Sequence, residues 1–164
     1  MSREQAAGRP GRAEPASRGR LRIYLGYAPG VGTTCAMLSE AHRRADHGTD
    51  VVVAYAAARG RPRTAALLAG LEVMPRAKVP FLGTMAEELD LDAVLARRPA
   101  VALLDELAHG NAPGSRHATR WQDAEELLQA GIDVVSTVDV RQLDSLCDVA
   151  ENITGSPPGQ TLPD

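Results

Sequence analysis

Two stretches of this chain have residue types and spacing suited to chemistry: the glycine-rich run Gly26-Tyr27-Ala28-Pro29-Gly30-Val31-Gly32-Thr33-Thr34 and the acidic pair Asp105-Glu106. Glycines let backbone N–H groups wrap an anion with no Cβ in the way. A helix opening directly behind such a turn adds its first-turn amides and its dipole. A Ser or Thr at the end of the run can ligand Mg²⁺ in phosphate loops, and Thr34 stands there. Gly30, Val31, Gly32, Thr33 and Thr34 are therefore the candidate nucleotide-binding residues. Two demands of the pattern GxxxxGK[ST] are unmet: Gly26 sits one place early, and Thr33 occupies the lysine position. Charge-assisted bonds to phosphate are worth roughly 1.5–3 kcal/mol, so losing the lysine weakens binding about ten- to a hundredfold. The alternative is a glycine-rich turn with no ligand.

Asp105-Glu106 ends a run of apolar residues, Ala100–Leu104, in the manner of a Walker B strand. On a strand read as lying beside the loop-bearing one, Asp105 holds Mg²⁺ through water, so Thr34 and Asp105 are the candidate metal residues. Glu106 is the candidate catalytic residue, placed to polarise an attacking water. The polar loop that follows supplies His109, Arg116 and His117, and Arg120 comes directly after it. Arg116 and Arg120 are candidate ligand-binding residues that partly replace the lost lysine charge; the alternative is that both are solvated. The expected ligand is ATP or another nucleotide with Mg²⁺, its binding weakened or lost through Thr33. Trp121 reads as a core or helix-anchoring residue, and His42 and His47 read as a solvated helix face. The four His and two Cys do not match zinc-ligand spacing.

The elements that must position these groups alternate. Strands are expected at Leu21–Gly26, Val51–Ala56, Ala100–Asp105 and Ile132–Val138, with a short one at Val79–Leu82. Helices are expected at Thr33–His47, Thr64–Ala69, Asp90–Arg98, Arg120–Ala130 and Arg141–Ile153, with Gly48, Gly70, Pro99 and Gly131 as stops. Arg59–Arg63 reads as a basic loop and Glu106–Thr119 as a long polar one. The alternation predicts an α/β domain of P-loop NTPase type: three layers around a mostly parallel sheet. Residues 1–20 carry five Arg and two Glu with no apolar period and read as a disordered basic leader. Residues 21–155 form the domain and 156–164 a tail.

The chain has 164 residues, 44% of them hydrophobic and only 3% aromatic, which calls for an aliphatic core. A net charge of −3 gives no electrostatic case for nucleic acid or an anionic membrane. Lys78 is the sole lysine, remote in sequence from the glycine run. Cys35 and Cys147 are far apart and suit a reducing compartment. No apolar run reaches the roughly 18–20 residues of a membrane span, and no h-region opens the chain. A cytoplasmic location without membrane insertion is expected.

Three runs are familiar: LDELAHGNAPGSRH at 104–117, RWQDAEELLQAGIDV at 120–134 and STVDVRQLDSL at 136–146. From about Gly19 to Asp164 the chain resembles the N-terminal cytoplasmic sensor domain of the KdpD family, sensor histidine kinases of two-component systems that control potassium-transporter expression. The resemblance implies a P-loop-like sensing domain that precedes a universal-stress-protein-like domain, membrane helices and a kinase core. It implies GVGKT where Gly30-Val31-Gly32-Thr33-Thr34 stand, and the acidic pair at Asp105 and Glu106. Family members usually have Thr at Gly110, Asn at Asp139 and Gln-His at Arg141-Gln142. No phosphoacceptor His box and no DxGxG lid occur here.

The expected function is therefore a stand-alone or truncated sensor module of potassium and osmotic-stress phosphorelay signalling. It binds nucleotide weakly or engages a partner without turnover, that partner being a KdpD-type histidine kinase or a universal-stress-like domain in trans. The alternative is an active P-loop ATPase or phosphotransferase using Asp105 and Glu106, with Arg116 or Arg120 in place of the lysine.

Overall fold

A computed structural model of the protein describes residues 17–27, 32–58 and 60–143. Most of the leader, Gly30 and Val31 of the glycine run, Cys147, the tail and the late helix beyond residue 143 lie outside the described residues.

The chain runs β1 (Leu21–Gly26), α1 (Thr33–Asp46), β2 (Val51–Tyr55), α2 (Pro62–Leu68), β3 (Glu72–Val73), β4 (Arg76–Phe81), β5 (Thr84–Leu89), α3 (Leu91–Arg97), β6 (Val101–Leu104), α4 (Arg120–Gln129) and β7 (Asp133–Asp139), then a 3₁₀ turn, Val140–Gln142. Every residue of β2 and β6 is buried, as continuous apolar strands require when helices cover both faces. The pleat divides them. Val52, Ala54, Ala102, Leu104 and Val134 pack with Leu91 and Val94 of α3 and Ala124 and Leu127 of α4. Val51, Val53, Val101, Leu103 and Val135 pack with Met37, Leu38 and Ala41 of α1. The result is the expected three-layer arrangement.

The five-stranded sheet has the order β1-β7-β6-β2-β3, and every pairing in it is parallel. The sequence pattern does not set strand order; β7 lies between β1 and β6, so the strand ending at Asp105 is one place removed from the loop-bearing strand. Register still brings the carboxyl ends to one edge, with Gly26 opposite Asp139 and Leu104 opposite Ser136. Among the described residues, no helix is long and apolar enough to cross a membrane.

The segment between α2 and α3 departs most from the sequence reading. A short strand was expected at Val79–Leu82 and nothing at 84–89. An antiparallel hairpin occupies both, with Arg76 opposite Leu89 and Phe81 opposite Thr84. Its two-residue turn has positive φ at Leu82 (48°) and Gly83 (75°), the primed geometry that matches strand twist. Leucine is a poor signal for that turn, Pro80 interrupts the first strand, and Met-Ala-Glu-Glu is weakly β-forming. Other differences are small. Helix α2 starts at Pro62, two residues early, because proline suits the first helical position. Where a late helix is expected from Arg141, the described residues form the 3₁₀ turn Val140–Gln142 with Leu143 extended after it. His42, read as solvated, places Nε2 2.7 Å from the Leu67 carbonyl and ties α1 to α2.

One carboxylate is buried in α1. Glu40 is 5% exposed and accepts hydrogen bonds from Tyr24, from Arg22 Nη1 at 2.5 Å and from Arg44 Nε and Nη2 at 2.7 and 2.5 Å. Burial by itself would raise its pKa; the bonds from Tyr24, Arg44 and Arg22 outweigh that and hold the carboxyl down to about 2.

Two measurements follow from this architecture. Leu82→Asn relieves a left-handed backbone cost at an exposed turn, and thermal melting should show about 0.5–1 kcal/mol of stabilisation; an unchanged or lower midpoint would contradict the turn assignment. Because Glu40 is depressed in the folded state, its contribution is full above the ordinary carboxyl pKa near 4.5 and is lost as pH falls toward about 2. Urea titrations of wild type should lose about 2–3 kcal/mol more than Glu40→Gln between pH 6 and pH 2.5; parallel pH curves would contradict it.

Candidate functional site

The centre of the site is Asp105, 1% exposed, one residue past the end of β6. Its carboxylate gathers donors from four places. Thr34 Oγ1 donates at 3.1 and 3.0 Å to the two oxygens, the Ala57 amide at 3.1 Å, the Glu106 amide at 3.2 Å, and Thr137 Oγ1 donates to Oδ1. Thus the head of α1, the exit of β2, the end of β6 and the middle of β7 meet on one side chain. Thr34 and Asp105 were expected to share a site from residues 71 positions apart, and the structure brings them together.

Gly32 sets the approach. It caps α1 with φ +93°, a left-handed conformation in which a side chain is strained. Its carbonyl accepts from Ala36 N at 2.9 Å, closing the first helical turn. Thr33 follows, half-buried, and α1 carries no acid in its first turn, so its own side chains do not neutralise the positive end of its dipole.

Glu106 also adopts positive φ, 57°, unusual for a residue with a side chain. Its amide is held by Asp105 Oδ1 and, at 3.0 Å, by Thr137 Oγ1, while its side chain stays 55% exposed. The twist turns it to a small cavity of about 210 Å³ bordered by Thr34, Tyr55, Ala57, Arg61, Glu106 and His109. A second cavity, of about 200 Å³, adjoins Gly32, Thr33, Thr34, Arg61 and Arg63.

The expected cations divide. His109 borders the first cavity, with Nε2 3.2 Å from both Glu88 oxygens. Arg120 is fully buried behind it. The guanidinium lies 3.8 Å from the Tyr55 ring centre, donates to the Asp105 carbonyl at 3.0 Å and to Glu88 Oε2 at 3.3 Å, and stands 3.9 Å from Glu106 Oε2. It supports the acidic strand end from below and borders neither cavity. Arg116 is elsewhere, exposed and paired with Asp92 at 2.5 Å and with Glu126, which also meets His117 at 2.7 Å. The cavity beside Arg116 is lined by residues such as Leu91, Asn111 and Asp123 and by none from the glycine run. Burial raises the Asp123 carboxyl there, partly offset by its hydrogen bond from Asn111.

The sequence reading missed Glu88, Thr137, Arg61 and Arg63 as site residues. Glu88 lies on the unexpected hairpin, and Thr137 is one of several polar residues in β7. Arg61-Pro62-Arg63 had a usable signal: it follows a strand at its carboxyl end, where loops line the crevice of an α/β sheet. Asp139 and Arg141, each a departure from the resembled family's pattern, pair with one another at 2.7 Å, and the Arg141 bond holds the Asp139 carboxyl below its usual range.

A magnesium ion fits this donor set only in part. No group of three or more His, Cys, Asp or Glu suited to a metal exists among the described residues. Thr34 and Asp105 offer two oxygen positions, enough for an ion that takes its remaining ligands from water and phosphate. Thr34 would then direct a lone pair at the metal in place of its bond to Asp105, and the ion would balance the acidic pair while drawing phosphate oxygens to the head of α1.

The model of the osmosensitive K⁺ channel His kinase sensor domain matches residues 17–164. The sensor protein KdpD of Mycobacterium tuberculosis is 55% identical over 147 residues, which are 90% of this chain and 17% of that protein. The sensor protein KdpD of Escherichia coli K12 is 54% identical over 147 residues, 90% of this chain and 16% of that protein. A putative sensor protein KdpD of a Synechocystis strain is 42% identical over 155 residues, covering 94% of this chain and 42% of its own length.

The two arginines differ in what they hold, and denaturation separates them. Arg120→Ala takes the guanidinium from buried Glu88, leaving it His109 and the Ala112 amide, and removes the stacking on Tyr55, so it should cost about 3–5 kcal/mol. Arg116→Ala breaks two ion pairs at the surface, to Asp92 and Glu126, and should cost under about 1 kcal/mol. Urea midpoints showing equal losses would refute the buried-strut role of Arg120.

Proposed function

The chain belongs to the family of osmosensitive K⁺ channel histidine kinase sensor domains, and from that premise we propose that it is a regulatory module of potassium and osmotic-stress two-component signalling. In this reading it acts in the cytoplasm, takes ATP or another nucleotide weakly with Mg²⁺, and passes the bound state to a KdpD-type histidine kinase or universal-stress-like domain without turnover.

The observation that carries the proposal is the bond between Thr34 and Asp105 at the head of α1. It joins the glycine-loop helix to the acidic strand end, the two parts a phosphate–magnesium unit needs within reach of one another. Thr33 in the lysine position argues for weak affinity. Glu106, strained but ordered over the cavity, is the group that would polarise water, and without the lysine charge the transition state loses roughly 10²–10³ in rate. Arg116 is paired elsewhere and Arg120 is buried, so neither supplies the lysine charge that the ATPase reading needs.

Isothermal titration of ATP with Mg²⁺ tests this. Wild type should bind with a Kd in the high-micromolar to millimolar range, Thr33→Lys should tighten it about tenfold or more, and phosphate release should stay at background in both wild type and Glu106→Gln. Turnover above background that Glu106→Gln abolishes would replace this reading with the ATPase one.

A further inference from the structure

The strand-to-helix connection at Arg61-Pro62-Arg63 borders both small cavities, and the function as proposed leaves it unused. Arg61 is common to the cavity at Gly32–Thr34 and to the one at Glu106 and His109; Arg63 borders the first. Each cavity is smaller than the roughly 300–1,000 Å³ of an ordinary small-molecule pocket. They share Thr34 and Arg61, so together they suit a chain of phosphate groups better than a base or sugar.

The arginines are held there by packing. Thr64 is 1% exposed, with Oγ1 3.7 Å from Cys35 Sγ in the first turn of α1. His42 fixes the other end of α2 through the Leu67 carbonyl. Pro62 restricts the residue before it to extended backbone, and Arg61 has φ −110° and ψ 97°. Its side chain makes no capping bond to the helix it precedes.

Among the described residues, Arg61 and Arg63 share the lack of a carboxylate partner with Arg20, Arg43 and Arg98, but they are the arginines that border these two cavities. Arg22, Arg44, Arg97, Arg116 and Arg120 each meet a carboxylate. Arg61 and Arg63 meet none among the described residues, although Glu106 borders the same cavity as Arg61. Two exposed guanidinium groups without carboxylate partners beside an anion-favouring helix head form an incomplete charge arrangement. A guanidinium fork matches two phosphate oxygens at once.

We propose that Arg61, assisted by Arg63, is the cation of this site, reaching a polyphosphate chain from the leading end of α2 where a phosphate loop would use the lysine that Thr33 replaces. This rests on the nucleotide reading and deepens it by naming the polyphosphate as the recognised part and Arg61 as its specificity-determining residue.

Titration calorimetry of the whole chain with ATP and with inorganic tripolyphosphate, each with Mg²⁺, tests it. Wild type should bind both. Arg61→Ala and the better size-matched Arg61→Gln should each weaken both ligands about tenfold or more. Arg63→Ala should weaken them several-fold. Arg43→Ala, an exposed arginine in the last turn of α1, should stay within about twofold. Adding Thr33→Lys to Arg61→Ala should restore most of the affinity, and melting curves should place the Arg61 variants within a few degrees of wild type. If wild type binds and both Arg61 variants bind as well as it does, this inference is wrong while the nucleotide reading stands. If wild type binds neither ligand, both are wrong.

Discussion

A carboxylate sealed from water is the constraint on which the carboxyl edge of the sheet depends. Asp105 has almost no exposed surface, and an ionised group so placed costs several kcal/mol unless donors surround it. Those donors come from α1, the exit of β2, the following peptide and β7. Each is directional, so satisfying one side chain ties the head of α1, the exit of β2 and the body of β7 to the end of β6. The left-handed turn at Glu106 follows from this: the peptide must fold back for its amide to meet both Asp105 and Thr137. Strain at that residue is offset by bonds that exist only with it in that shape.

Arg120 extends the same knot downward. Its guanidinium caps the Asp105 carbonyl, lies on the Tyr55 ring and meets Glu88, bringing the hairpin and the polar loop against the sheet. Glu88 in turn accepts from the Ala112 amide at 2.9 Å and faces His109. A buried ion pair of this kind contributes little net stability compared with apolar residues, yet loses much when halved. Its effect here is geometric: it locates the hairpin and the loop relative to the acidic strand end.

The legible parts of the sequence were those governed by short-range rules. Apolar runs bounded by Gly and Pro gave β2, β6 and β7 within a residue or two, and the stop at Gly131 was readable from its type. The juxtaposition of Thr34 and Asp105 was also readable, because in a parallel sheet the turn after one strand and the acidic end of another lie at the same carboxyl edge. What remained hidden depended on long-range pairing. Nothing local reveals that β7 separates β1 from β6, or that Leu82 accepts a positive φ because the strands on either side pair. Arg120 looked like a cation facing the ligand and is a buried strut; Arg61 looked like part of a basic loop and borders the cavities. Sequence alone shows a charge but not which side of the fold it faces. Asp139 and Arg141, two departures when taken singly, make physical sense only as a pair.

The knot also explains how this chain accommodates threonine where the family pattern has lysine. Had Asp105 relied on a lysine or a metal for its charge balance, removing the cation would leave a buried anion unpaired, at a cost approaching the whole stability of a small domain. Here protein hydroxyls and amides satisfy the carboxylate directly, and Thr33 lies outside the set. On the proposed nucleotide reading, fold and phosphate affinity are therefore separable at this position: the scaffold closes on itself without Thr33, and the charge offered to a phosphate is left to side chains at the rim. In that reading a substitution at residue 33 acts on affinity and leaves the buried carboxylate's donors in place, whereas one at 34, 105 or 137 disturbs the donors themselves.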